Sequence, residues 1–221
     1  MPVTSLHSSI KDWYSLPGDR LEVKVGNFIV DIVRDDLLIE IQTQNFSAIR
    51  RKMQSLVADH NVRLVYPIPE KKWIVRVAES NDEVISRRRS PKRGRLVDLF
   101  DELVWMPLLV REPSFAMEVL MIEEEEIRCE DGRGSWRRKG VSIKDRKLLS
   151  VVERVGLCES VDFLRFLPRD LDLPFSNKSL AEAAGLSIAR TRRMTYCLRK
   201  MGAIREVGKN RNELLFERAC S

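Results

Sequence analysis

The chain has 221 residues, 43% of them hydrophobic, enough to bury a sizeable core in one large domain or two small ones. Its net charge of +6, from 39 Lys and Arg against 33 Asp and Glu, favours a polyanionic partner such as nucleic acid. No signal-peptide core or membrane-length apolar run is present, which excludes a membrane partner and predicts a cytoplasmic protein. The four cysteines form no CxxC pair, and His7 and His60 lack metal-ligand spacing, so a disulfide scaffold, a zinc ribbon and a histidine-based hydrolase have no foundation.

Residues Ser5–Tyr14 are predicted as an amphipathic helix, with Leu6, Ile10, Trp13 and Tyr14 at helical spacing, stopped by Pro17, Gly18 and Asp19. Strands follow at Arg20–Val25, Phe28–Arg34 and residues 37–42, joined by turns at Gly26-Asn27 and Asp35-Asp36. Thr43 or Asn45 can cap a helix over 46–60 with Phe46, Ile49, Met53, Leu56 and Val57 on one face. A strand at 62–66, ended by Pro67, and another at 73–78 complete an α-β-β-β-α-β order with a fifth strand. The second helix is the crossover, so the strands on either side of it are expected to be parallel.

Asp31 lies in an otherwise apolar strand, where a carboxylate needs a neutralising partner. Lys24 and Arg34 are the structural candidates. Alternation puts Glu40 and Gln42 on one face of the next strand, and two carboxylates on neighbouring strands suit a hard divalent cation. The element order, the Asp on the second strand and Glu-x-Gln on the third resemble the PD-(D/E)XK nuclease superfamily over residues 5–78. That resemblance implies a restriction-endonuclease-like α/β (α+β) core in which Asp31, Glu40 and the Ile41 carbonyl hold Mg2+ or Mn2+. Gln42 would stand where the family's water-orienting Lys usually stands. The family's early-helix Glu is missing, with Asp12 or Glu22 as substitutes. On the following helix, Gln44, Asn45, Ser47, Arg50, Arg51 and Lys52 suit a phosphate backbone or an ordinary solvated face.

Residues 86–95 hold six basic and no acidic side chains and are expected to form a solvated loop or, with Arg93 and Arg95, a phosphate contact or minor-groove hook. A helix is predicted over 96–110. Glu123 to Glu126 are expected on a solvated strand edge, neutralised across a hairpin by a basic strand at 135–139.

The last third is predicted to open with a helix over 145–154. Beyond Pro174, a helix, a Gly185 turn and a Ser187-capped helix over Ile188–Met201 fit helix-turn-helix geometry, and a hairpin over 203–217 makes a wing. Arg190, Arg192, Arg193, Arg199 and Lys200 on the second helix, with Lys209 and Arg211 at the wing tip, point to DNA. The expected organisation is a nuclease-like domain at 1–80, a connecting region at 81–140 and a winged helix at 141–221. The expected function is metal-dependent DNA hydrolysis in repair, recombination or defence. The alternative is a non-enzymatic DNA-binding regulator whose nuclease-like fold serves homodimerisation or a protein partner.

Overall fold

The computed structural model describes residues 5–79, 82–134, 136 and 140–219. Helix α1 (Ser5–Tyr14) leads into β1 (Arg20–Val25), β2 (Phe28–Arg34) and β3 (Leu37–Ile41), which pair antiparallel in succession. Helix α2 (Phe46–Leu56) crosses to β4 (Asn61–Val77), which runs parallel to β3 with Glu40 opposite Leu64 and Ile41 opposite Val65. Up to this point the predicted order holds. Helix α2 is shorter than predicted because the chain turns at Leu56, whose carbonyl accepts from Asp59 and His60.

Beyond β4 come β5 (Val84–Arg89), the short helix α3 (Phe100–Leu103), β6 (Phe115–Cys129) and β7 (Ser142–Leu157). The mixed sheet runs β1-β2-β3-β4-β6-β7, and β5 pairs with β4. Among the described residues, no helix is long and apolar enough to cross a membrane.

Several expectations are corrected here. The strands predicted at 62–66 and 73–78 are one strand, β4. Pro67 does not end it, because β3 stops opposite Val65 and this stretch is laddered only to β6, with a bulge between Pro69 and Lys71. The predicted helix at 145–154 lies inside β7. The long edge of β6 recruits it, and Val151, Val152 and Val155 suit a strand. The helix predicted over 96–110 is broken into α3 and two flanking 3-10 turns, the second begun by Pro107.

The start of the expected basic loop, residues 86–89, belongs to strand β5. The acidic run is not a solvated edge either. Glu124 and Glu126 are each only 2% exposed, and Lys72 bonds both, at 2.8 and 3.1 Å. Glu123 and Glu125 pair with Lys71 and Arg87 at 2.5 and 2.6 Å, while Arg128 of β6 and Arg146 of β7 also meet Glu126, at 2.6 and 3.6 Å, so β4, β5, β6 and β7 all supply neutralising charges. The basic strand predicted at 135–139 falls mostly outside the described residues.

The sheet buries both faces. On one, Leu6, Ile10 and Tyr14 of α1 pack on Ile32, Ile39, Ile41, Val65, Leu120 and Ile122. On the other, Phe46, Met53 and Leu56 of α2 pack on Val33, Leu38 and Leu64. Each such side chain contributes roughly 1.5–3 kcal/mol on burial. Both helices are capped by carboxylates from distant chain. Asp145 of β7 accepts from the Ser5 N–H and hydroxyl, at 3.1 and 2.6 Å. Glu102 of α3 accepts from the Phe46 N–H at 2.8 Å, while Asn45 makes no side-chain cap.

The second core runs on through Phe100 and Leu103 to Phe175, Leu180, Met194, Leu198 and Phe216, so the C-terminal elements share it. These are β8 (Phe175–Ser176), α4 (Asn177–Ala184), α5 (Ile188–Met201), β9 (Ile204–Asn210) and β10 (Glu213–Arg218), with sheet order β8-β10-β9. The Ser176 hydroxyl accepts from the Lys178 and Ser179 N–H groups to start α4, and Gly185, at φ +59°, ends it. Ser187 caps α5 as predicted. The hairpin strands reach further than expected, leaving Arg211 and Asn212 as the tip.

The link from β5 back to α3 depends on Gly94, whose N–H donates to the Pro69 carbonyl at 2.9 Å. A Cβ at Gly94 would lie 2.6 Å from that oxygen and 2.7 Å from Ile68 Cγ2. Gly94→Ala is therefore expected to destabilise the protein by about 1–3 kcal/mol in a denaturant melt. A melt that matches wild type would show that the segment is not held against β4.

Candidate active site

The β2–β3 ladder pairs Ile32 with Ile39 and Val33 with Leu38. Beyond it the strands meet through side chains. The Asp31 carboxylate accepts from the Ile41 N–H at 2.8 Å, and the Asp31 N–H bonds to Glu40. The two carboxylates thus meet where the ladder ends. Helix α1 brings His7, whose Nε2 is 3.2 Å from Asp31 Oδ2. Helix α2 brings Lys52, whose Nζ is 2.5 Å from Glu40 Oε1 and donates to the Ile29 carbonyl at 2.5 Å. Strand splay and two helices from opposite faces of the sheet make one four-residue cluster: His7, Asp31, Glu40 and Lys52.

The electrostatics follow from this placement. Burial, and then the nearby Asp31 charge, push the Glu40 carboxyl up to about 7, against the pull of Lys52. Glu40 is 6% exposed, and among the described residues its Oε2 has no hydrogen-bond partner. Burial also works to raise Asp31, but the His7 ring, the Ile41 N–H and Lys52 outweigh it and hold that carboxyl below its ordinary range. The hydrogen bond to Asp31 raises His7, with burial opposing. Two adjacent acids are therefore driven apart in acidity, an arrangement typical of acid–base or cation-binding sites.

The partner of Asp31 is thus His7, and neither sequence candidate fills that role. Arg34 bonds Asp19 at 2.8 Å, and Lys24 is exposed. Gln42 is tied elsewhere: its side-chain amide donates to the Gln44 and Asn45 carbonyls, and its main-chain N–H donates to Val65. Among the described residues no hydrogen bond joins its side chain to Asp31 or Glu40. Asp12 is exposed, and Glu22 pairs with Lys11 at 2.5 Å with most of its side chain in solvent, so neither completes the cluster.

His7 and Lys52 are the residues that sequence reasoning missed in this role. The signal was faint. His7 adjoins the buried Leu6, and Lys52 adjoins the buried Met53, so both flank an apolar stripe and point towards the sheet. Among the described residues, no group of three or more His, Cys, Asp or Glu side chains is arranged to hold a metal ion. Asp31, Glu40 and the adjoining main chain remain as donors. Such a set suits Mg2+, which takes one or two carboxylates and completes its shell with water and substrate phosphate.

The cations expected to meet DNA divide into two sets. Arg50 and Arg51 are exposed on α2, and Arg93 is exposed beyond β5. Arg95 leans towards the Gly185 carbonyl at 3.5 Å. On α5, Arg192 is exposed, and so are Lys209 and Arg211 at the hairpin end. Arg199 pairs with Glu206 at 2.8 Å, and Lys200 lies over the Tyr196 ring at 5.8 Å. Arg190 and Arg193 are held: Arg190 bonds Asp98 and Asp101 at 2.7 and 2.9 Å, and Arg193 bonds Asp101 at 2.7 Å. They anchor α5 to the segment around α3.

The architecture and the cluster define a mixed α/β protein with a paired-carboxylate centre at the end of a β-hairpin. A family profile described as "Domain of unknown function (DUF8091)" matches residues 4–158, well over half of the chain, which therefore belongs to that family. The match ends where β7 ends and takes in all four residues of the cluster. An uncharacterized protein of Treponema pallidum (strain Nichols) is 32% identical over 149 residues, 67% of this chain and 59% of that relative. The chain thus spans less than two thirds of the relative's length. No solved structure matches.

Proposed function

We propose that this protein is a divalent-metal-dependent DNA nuclease of the PD-(D/E)XK type, with a C-terminal winged helix as its DNA grip. One observation carries the reading: the buried Glu40 beside Asp31, with its Oε2 lacking a hydrogen bond among the described residues. A carboxylate oxygen in that position calls for a cation. A divalent ion held by Asp31, Glu40 and the Ile41 carbonyl would neutralise phosphate charge and acidify water. Lys52 brings the positive charge that Gln42 lacks, from helix rather than strand. His7 fixes the orientation of Asp31. The exposed Arg50, Arg51, Arg93, Arg192, Lys209 and Arg211 are the phosphate contacts this reading uses.

The test is cleavage of supercoiled, linear, single-stranded and branched DNA with Mg2+ or Mn2+, each against EDTA. Asp31→Ala and Glu40→Ala are each expected to slow cleavage about 100-fold or more, the scale of losing a preorganised charge. A wild-type protein that cuts none of these, or variants that cut as fast as wild type, would sink the enzyme.

A second reading has its own observation. Lys52 and His7 already neutralise the two acids internally, as a structural centre requires. On that reading the protein is a DNA-binding regulator, with the sheet serving dimerisation or a partner. DNA binding would then survive Asp31→Ala and collapse with Arg192→Ala.

A further inference from the structure

Between α2 and α5 lies a cavity of about 670 Å3, floored by residues 104–109. That volume is within the range of small-ligand sites. Trp105 and Leu108 line it, each 53% exposed, and Tyr196 of α5 forms part of the wall at 39% exposed. Arg50 of α2 and Lys200 of α5 also line the cavity, and Glu112 is the one acid among the described residues of that lining.

Three aromatic rings at or near the surface carry a cation. Arg154 lies over Trp13 at 5.7 Å, Arg87 over Trp73 at 5.2 Å, and Lys200 over Tyr196 at 5.8 Å. Among the described residues, no ring or cation is stacked on Trp105. An open indole beside two cations matches a strand that presents a bare base between phosphates. A base stacks on an aromatic face whatever its identity, and Arg and Lys take the backbone. In a duplex the bases are stacked on one another, so an open ring of this kind suits unpaired nucleotides.

We propose that the groove between α2 and α5 binds single-stranded nucleic acid, with one unpaired base stacked on Trp105 and the flanking phosphates on Arg50 and Lys200. This rests on the nucleic-acid reading above and names the strand form it prefers. The charge complementarity of the two walls argues for this occupant over a protein segment or a second copy.

The test uses the full chain, a labelled thymidine oligonucleotide of about 12 nucleotides and a blunt duplex of equal length, read by anisotropy. Trp105→Ala is expected to weaken single-strand binding about tenfold while changing duplex binding less than about twofold, with Trp105→Phe restoring most of the loss. The double variant Arg50→Gln with Lys200→Gln should flatten the salt dependence of single-strand binding. Thermal melts of each variant guard against misfolding, and the half-exposed position of Trp105 makes the Phe variant a safe control. Equal single-strand binding by wild type and Trp105→Ala would overturn the proposal, as would equal weakening of the duplex. A concentration-dependent mass increase that Trp105→Ala abolishes, with oligonucleotide binding intact, would assign the groove to a second copy and overturn it too. Metal-dependent cleavage that is indifferent to Trp105 would remove the groove and leave the nuclease standing. Failure to bind or cut any nucleic acid would remove both.

Discussion

The metal-free protein is expected to lose stability as pH rises from about 4.5 to about 7, and Glu40→Gln should remove most of that loss. The sign follows from the proton balance. Glu40 has a folded pKa of about 7 against 4.5 when unperturbed, so the folded state holds the proton more tightly than the unfolded chain. Stability is fullest below the unfolded value and declines through the folded one, by about 3 kcal/mol for a shift of this size. His7 acts in the same direction. Its pKa is raised by Asp31, so its contribution is complete below 6.5 and lost as pH rises through the folded value. Asp31 is depressed, so its contribution fails only in acid below 3.8, outside this window. Denaturant melts of wild type and Glu40→Gln across the range isolate the Glu40 part. A difference between them that does not change with pH would show that Glu40 titrates normally. Mg2+ binding would draw Glu40 into its ionised form, so stabilisation by the metal should grow with pH.

Lys52→Met is expected to cost about 3–5 kcal/mol at pH values where Glu40 is ionised, and much less where it is protonated. The ammonium group is 2.5 Å from Glu40 Oε1, and the two side chains are 16% and 8% exposed, so little water can replace it. Removing it leaves a buried charge beside Asp31 without its ion-pair partner. The double variant Lys52→Met with Glu40→Gln should recover most of the loss, since the unpaired charge is then gone. A double-mutant cycle at two pH values measures this coupling directly. Losses that simply add, or that are the same at both pH values, would show that Lys52 acts through packing alone. The cycle also bears on the proposed metal site, because a cation bound at Glu40 would have to compete with Lys52.

The candidate site was legible in the sequence only along the strands. Asp31 stood out as a carboxylate in an apolar run, and alternation put Glu40 on a single face of the next strand. The register that brings them together depends on a short turn at Asp35-Asp36, which local sequence specifies. Gln42 drew attention through its spacing, yet its amide serves the turn into α2. Lys52, ten residues on, supplies the charge instead. Helical phase marks it as flanking the buried Met53, but nothing in the sequence says which strand atom lies beneath that flank.

The same division runs through the fold. Local sequence determined α1, the first three strands, α2, and the α4–α5 pair with its Ser and Gly caps. These rest on periodicity and turn chemistry within a few residues, although the first turns of α1 and α2 take their caps from distant Asp145 and Glu102. Tertiary structure decided β7, where a predicted helix became a strand because β6 offers a 15-residue edge to pair with. It also decided β4, which runs through two prolines because its neighbour ends early, and the burial of Glu124 and Glu126, which depends on Lys72 from another strand. The assembly of His7, Asp31, Glu40 and Lys52 belongs to this second group. A strand pairing or an ion pair between distant segments is a property of two sequences at once, and its energy is invisible in either alone.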